Sequence, residues 1–183
     1  MANQNQLEEK IKDVMNSITD KSWFSNDIED DNFQLLALKN YFGNIACKKI
    51  LDIGCARGRF AKHMVKDGAI VTGIDLSDRL IDDAKKNIPE ATFFCGSATN
   101  LPFPNESFDI VYSVETFEHV PNTEKAISEA CRVLKKGGKI IIIDKNYFAL
   151  NPNMLIPTPI YKLYKELTNK RGRPVCLPLS QWH

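Results

Sequence analysis

The segment ILDIGCARGRF, residues 50–60, places three small residues, Gly54, Ala56 and Gly58, between a strand-like apolar run and a helix-like one. Small residues let a ligand lie against backbone. A helix that starts after Gly58 also offers free N–H groups and partial positive charge to a carboxylate or phosphate. Asp75 ends the next apolar run about twenty residues on, where a carboxylate accepts hydrogen bonds from two ribose hydroxyls. Together these residues describe a nucleoside-binding crevice. The dinucleotide fingerprint G-x-G-x-x-G fails, because counting from Gly54 it meets Ala56 and Arg59 where it needs glycine, and no G-K-[ST] follows Gly58. A pyrophosphate site, and with it a nicotinamide-dependent oxidoreductase, is disfavoured.

A second group of reactive side chains follows the apolar run that ends at Ser113. Open α/β sheets bind ligands beyond the C-terminal ends of their strands, so Ser113, Val114, Glu115 and Thr116 are expected to face the same crevice. Backbone carbonyls there, or the Glu115 carboxylate, suit an ammonium group; Glu115 reads equally well as a solvated loop charge. His119 is the candidate catalytic residue, as a general base for an acceptor's proton. Its competing reading is a structural histidine. His63 falls on the polar side of its helix and is expected to be exposed.

These residues need elements to hold them. Short apolar runs alternate with helical patterns from Lys49 onward, which signals βαβ units and a parallel sheet. Strands are expected at KILDIG, at Ile70–Asp75, at Thr92–Cys95, at Phe108–Ser113 and at KIIIID. Helices are expected at Arg59–Asp67, closed by a left-handed Gly68, after a Ser77 cap, and from Thr123 to Leu134, stopped by Lys135, Lys136 and Gly137. Ahead of the sheet, Leu7, Ile11, Val14, Met15 and Ile18 form a helical stripe, and a second helical pattern runs from Phe33 to Phe42. Trp23 and Phe24 lie between them, either capping a pocket or anchoring the arm. The domains are thus an N-terminal helical arm or lid (1–45), an α/β core (46–145) and a proline-rich, partly helical C-terminal segment (146–183).

Composition narrows the function classes. A chain of 183 residues, 43% hydrophobic, can bury the core of one domain. Lys and Arg number 24 against 23 Asp and Glu, so no global field draws the protein to nucleic acid, and a small or neutral partner is expected. Five cysteines without C-x-x-C spacing argue against a disulfide framework or a zinc site; no metal is expected. Without a signal-peptide core or a membrane-length apolar run, the chain is expected to be soluble and cytoplasmic.

Asp52-Ile-Gly54-Cys55-Ala56-Arg57-Gly58 resembles the D-x-G-x-G-x-G motif of class I S-adenosylmethionine-dependent methyltransferases, in the small-molecule branch that includes ubiquinone and menaquinone biosynthesis enzymes. The likeness continues in order through GIDLS (73–77), LPFPNESFDIVYSVETFEHV (101–120) and RVLKKGGKI (132–140). It implies a Rossmann-like three-layer sandwich and S-adenosyl-L-methionine as cofactor, with S-adenosyl-L-homocysteine as product. It also implies in-line methyl transfer to a small-molecule acceptor. By this resemblance Asp52, Gly54 and Gly58 hold the methionine end, with Cys55 and Ala56 of the same motif also binding the cofactor, and Ser113 and Glu115 join them by their place at the end of the fourth strand. Asp75 takes the ribose, Leu76 packs on the adenine, and Ser97 and Ala98 meet the adenine edge.

The chain departs from the family pattern in three places. Ser97 stands where an acidic residue is common. Ala56 stands where glycine is common, at a cost on the order of 1–2 kcal/mol if its φ is positive. Only five strands are legible where seven are usual, so the sheet is expected to be truncated or to have an unusual end, in a monomer or a homodimer. Tyr147, Phe148, Tyr161 and Tyr164 are candidates for an acceptor pocket, the last two equally for packing of a helix at Ile160–Leu167. The alternative function is a non-catalytic S-adenosylmethionine-binding regulatory or assembly subunit.

Overall fold

The computed structural model describes residues 4–17 and 27–144. Two helices, α1 (Gln4–Ser17) and α2 (Phe33–Phe42), precede five strands: β1 (Lys49–Ile53), β2 (Ile70–Asp75), β3 (Thr92–Cys95), β4 (Phe108–Val114) and β5 (Leu134–Ile143). Every pairing is parallel, in the spatial order β3-β2-β1-β4-β5. Parallel neighbours require crossover links. Three of these links are helical: α3 (Arg59–Lys66), α4 (Asp78–Asn87) and α5 (Thr123–Val133). The chain runs outward from β1 to β3 and returns to β4 on the other side of β1, which opens a crevice at the C-terminal ends of β1 and β4.

Alternation along the strands makes two cores. Ile50, Val71, Ile110, Tyr112 and Ile141 join residues of α2, α3 and α4 on one face, whereas Leu51, Ile53, Ile74, Val111 and Ile140 join α5 on the other. Burial on both faces explains the near-continuous apolar strands and gives the expected three layers. α2 is integral to the first core through Leu35, Leu38 and Phe42. Asn32 starts it by accepting from the N–H groups of Gln34 and Leu35. Ser77 caps α4 by accepting from Leu80 N–H at 3.2 Å, as expected.

Two local expectations need correction. β5 begins at Leu134, directly after α5, rather than at Lys139. Its register jumps from Phe108↔Leu134 to Ile110↔Lys139, so residues 135–138 bulge outward with Gly137 at φ +74°. The cause is Leu134, which is buried in the second core and pairs with β4 before the glycines let the chain bend. His63 is also buried rather than exposed. The segment before α2 crosses α3, bringing the Ile28 carbonyl to 3.2 Å from Nε2 and Asp27 and Asp30 alongside the ring. Trp23, Phe24, Ile18, the tyrosines and phenylalanine proposed for an acceptor pocket, and the segment from 146 onward lie outside the described residues.

The turn leaving β1 depends on Gly54. Its φ is +77°, and a Cβ built there lies 2.0 Å from Thr116 Oγ1. Gly54→Ala is therefore expected to lower stability by about 2–4 kcal/mol through backbone strain and overpacking. Ala56, at φ +46°, carries the opposite liability, and Ala56→Gly should cost nothing or stabilise by up to about 1 kcal/mol. Urea denaturation of the two variants checks both signs; equal and small effects would contradict this reading of the turn.

Candidate functional site

A cavity of about 430 Å³ opens at the C-terminal ends of β1 to β4, with α1 across it. Among the residues singled out from the sequence, Asp52, Gly54, Cys55, Ala56, Asp75, Leu76, Ser97, Ala98, Glu115 and His119 line it. Gly58 and Ser113 stand behind the lining. Gly58 begins α3 at φ +82°, with Ile88 and Phe93 against its Cα, and Ser113 ties β4 to β1 by donating to the Ile53 carbonyl at 2.8 Å.

Asp75 joins the two turns on which the site rests. Its Oδ2 accepts the Ala56 N–H at 2.9 Å, and its Oδ1 accepts the Ser77 N–H at 2.9 Å. The first bond holds Ala56 in its left-handed conformation. Burial pushes the Asp75 carboxyl above the usual range, while these backbone donors pull it back. A carboxylate has about four lone-pair sites, so these backbone donors leave acceptor capacity for a ribose hydroxyl.

Toward β4 the site is acidic and has one guanidinium. Asp52 is buried and accepts the Tyr112 hydroxyl at 2.8 Å. Burial raises its pKa to about 7; the Tyr112 bond lowers it less than burial raises it, and nearby Asp75 adds to the rise. Glu115, at φ +54°, accepts from Gln34 Nε2 at 3.2 Å and pairs with Arg59 Nη2 at 3.3 Å. Among the described residues Arg59 is the only Lys or Arg lining the cavity. Burial pushes the Cys55 thiol well up, which keeps it a neutral wall rather than a nucleophile.

Toward β3, the Ser97 hydroxyl lies 2.8 Å from Thr99 Oγ1, which donates to Glu8 Oε1 of α1 at 2.8 Å. At the other end of α1, Asn16 meets the Ser77 hydroxyl at 2.5 Å and Lys12 pairs with Asp78 at 3.0 Å. Ile11 and Met15 of the predicted apolar stripe face the cavity between these tethers. His119 is half-exposed at the rim, its Nε2 3.4 Å from the buried Glu118 carboxylate. Among the described residues no cluster of His, Cys, Asp and Glu is arranged to hold a metal, and no helix is long and apolar enough to cross a membrane.

Thr116 lines the cavity as expected, whereas Glu8, Gln34, Arg59 and Tyr112 were not identified from the sequence as site residues. In the sequence Arg59 stands as a mismatch to the dinucleotide template and as the start of a helix. Tyr112 falls inside the expected strand Phe108–Ser113, and it is the pairing Asp52↔Tyr112 between β1 and β4 that brings its hydroxyl to the carboxylate. Glu8 and Gln34 lie on helices whose approach to the sheet has no local sequence signature.

The chain matches the family model described as a methyltransferase domain over residues 51–142. It is 31% identical over 139 residues to demethylmenaquinone methyltransferase of Tropheryma whipplei, covering 75% of this chain and 56% of that protein. It is 35% identical over 108 residues to ubiquinone biosynthesis O-methyltransferase of Coxiella burnetii, covering 56% of this chain and 46% of that protein. The chain thus spans about half the length of the curated relatives it matches. An S-adenosylmethionine-dependent methyltransferase from Mesorhizobium loti superposes with a TM-score of 0.57 at 25% identity, covering 61% of this chain and 53% of that one.

Asp52 supplies a pH test. Folded, it keeps its proton up to about pH 7; unfolded, it ionises near the ordinary aspartate value of about 3.9. Between those values the unfolded chain binds fewer protons, so this contribution to stability is complete below about pH 4 and is lost as pH rises through 7. Asp52→Asn should therefore show a smaller fall in Tm between pH 5 and 7.5 than the unmodified chain. Parallel Tm profiles would contradict the buried, protonated carboxyl.

Proposed function

The chain belongs to the methyltransferase domain family, and from that premise we propose that it binds S-adenosyl-L-methionine across its strand ends and methylates a small-molecule acceptor. The observation that carries this is the order of groups along the cavity. The ends of β4, β1, β2 and β3 lie in a row, about 4.8 Å apart, so the crevice runs about 14 Å from Glu115 to Ser97. An amino-acid group suits Asp52, Glu115 and Arg59, a ribose suits Asp75, and an adenine suits the space between Leu76 and Ala98.

Charge supports the same assignment. Among the described residues the cavity is lined by the carboxyl groups of Glu8, Asp52, Asp75, Glu115 and Glu118 and by the Arg59 guanidinium; even with Asp52 protonated the carboxylates outnumber the cation, which favours a ligand of net positive charge and opposes a pyrophosphate. Arg59 is the partner for a ligand carboxylate, and Glu115 for its ammonium. When bound, the cofactor supplies a methyl group already activated on a sulfonium for in-line displacement. The chain's own part is then alignment and exclusion of water, and alignment alone is worth up to about 7–11 kcal/mol. Ile11 and Met15 give α1 an apolar surface suited to keeping water out of the crevice.

His119 is the side chain we assign to the acceptor's proton. Glu118 beside Nε2 orients the ring, which leaves Nδ1 for the acceptor at the rim. The small-molecule class is supported by the quinone-pathway names of the two curated relatives. A cytoplasmic location and a single small acceptor as partner complete the proposal.

Calorimetric titration tests it: S-adenosylmethionine and S-adenosylhomocysteine are expected to bind one per chain, and NAD not at all. Arg59→Gln should weaken both adenosyl ligands at least tenfold, while leaving 5′-methylthioadenosine, which lacks the amino-acid end, within about twofold. A screen with labelled methyl donor then separates the two functions. Binding without transfer to any acceptor would favour the non-catalytic reading.

A further inference from the structure

We propose that Glu8 of α1 accepts a hydrogen bond from the exocyclic amine of the bound adenine, so that base selectivity comes from the N-terminal helix rather than from the loop after β3. The proposal rests on the cofactor reading above. An adenine edge presents an amine donor beside a ring-nitrogen acceptor, so its binding site needs an acceptor next to a donor. The loop after β3 has backbone N–H groups at Ser97 and Ala98 but no carboxylate, and its one hydroxyl facing the cavity is already tied to Thr99. The Ser97 hydroxyl is engaged with Thr99 Oγ1 at 2.8 Å and also accepts the Thr99 N–H at 3.1 Å.

Glu8 supplies the missing acceptor. Its Oε1 takes the Thr99 hydroxyl at 2.8 Å and Gln4 Nε2 at 3.2 Å, which fixes the carboxylate at the β3 end of the cavity. Its Oε2 takes no hydrogen bond among the described residues, and Glu8 lines the cavity with Leu76, Gly96, Ser97 and Ala98. Thr99 is buried, so this anchor does not compete with water. The tethers of Asn16 and Lys12 to the start of α4 hold the other end of the helix. A carboxylate so placed attracts an amine and repels a carbonyl. It therefore selects adenine over hypoxanthine, which carries a carbonyl at that position.

The test compares S-adenosylhomocysteine with S-inosylhomocysteine by calorimetry on the full chain and on Glu8→Gln, whose amide keeps an oxygen for Thr99 and gains a donor. The unmodified chain is expected to prefer the adenosyl compound, and the variant to reduce that preference at least tenfold, mainly by improved inosyl binding. An unchanged ratio, or equal loss of both ligands, would overturn the role of Glu8. So would equal affinity for the two compounds in the unmodified chain. Failure of the unmodified chain to bind either compound would overturn the cofactor reading itself, and this proposal with it.

Discussion

One carboxylate holds the site together. Asp75 accepts the N–H of Ala56 from the turn after β1 and the N–H of Ser77 from the turn after β2, so two loops that share no sequence are fixed relative to each other. Gly54 then presses its Cα against Thr116, which brings the loop after β4 to the same place. The crevice is therefore preorganised before any ligand arrives. The strain that this needs is concentrated at Ala56 and Glu115, both non-glycine residues with positive φ.

Much of this arrangement was legible in the sequence because it is local. Five apolar runs gave five strands, Ser77 capped its helix, and the glycine-lined turn and Asp75 came to one cavity, because each depends on a few adjacent residues. The misreadings share a different cause. His63 looked exposed on an isolated helix wheel, but the chain before α2 covers it. Lys135, Lys136 and Gly137 read as a helix stop with the strand starting only at Lys139, yet tertiary burial of Leu134 drew the strand to begin early. Glu8 and Arg59 reach the cavity, and Gln34 reaches the lining residue Glu115, through packing of helices against the sheet, which no local spacing encodes.

The two N-terminal helices have different relations to the core. α2 contributes Leu35, Leu38 and Phe42 to one hydrophobic layer, and Gln34 from the same helix reaches Glu115. α1 has no buried residue, and polar tethers at both ends hold it over the cavity. Its apolar side chains Ile11 and Met15 face the space that a ligand fills. The stability of α1 is thereby linked to occupancy, since a ligand gives those side chains the contacts the protein alone does not provide.

That linkage can be measured directly by amide hydrogen exchange on the free chain and on the chain saturated with S-adenosylhomocysteine. The account predicts slower exchange at Ala56 and Ser77 together with residues 8–16 of α1, and little change on α5. Protection confined to other parts of the sheet, or none at either place, would contradict an adenosyl group lying across the strand ends beneath the first helix.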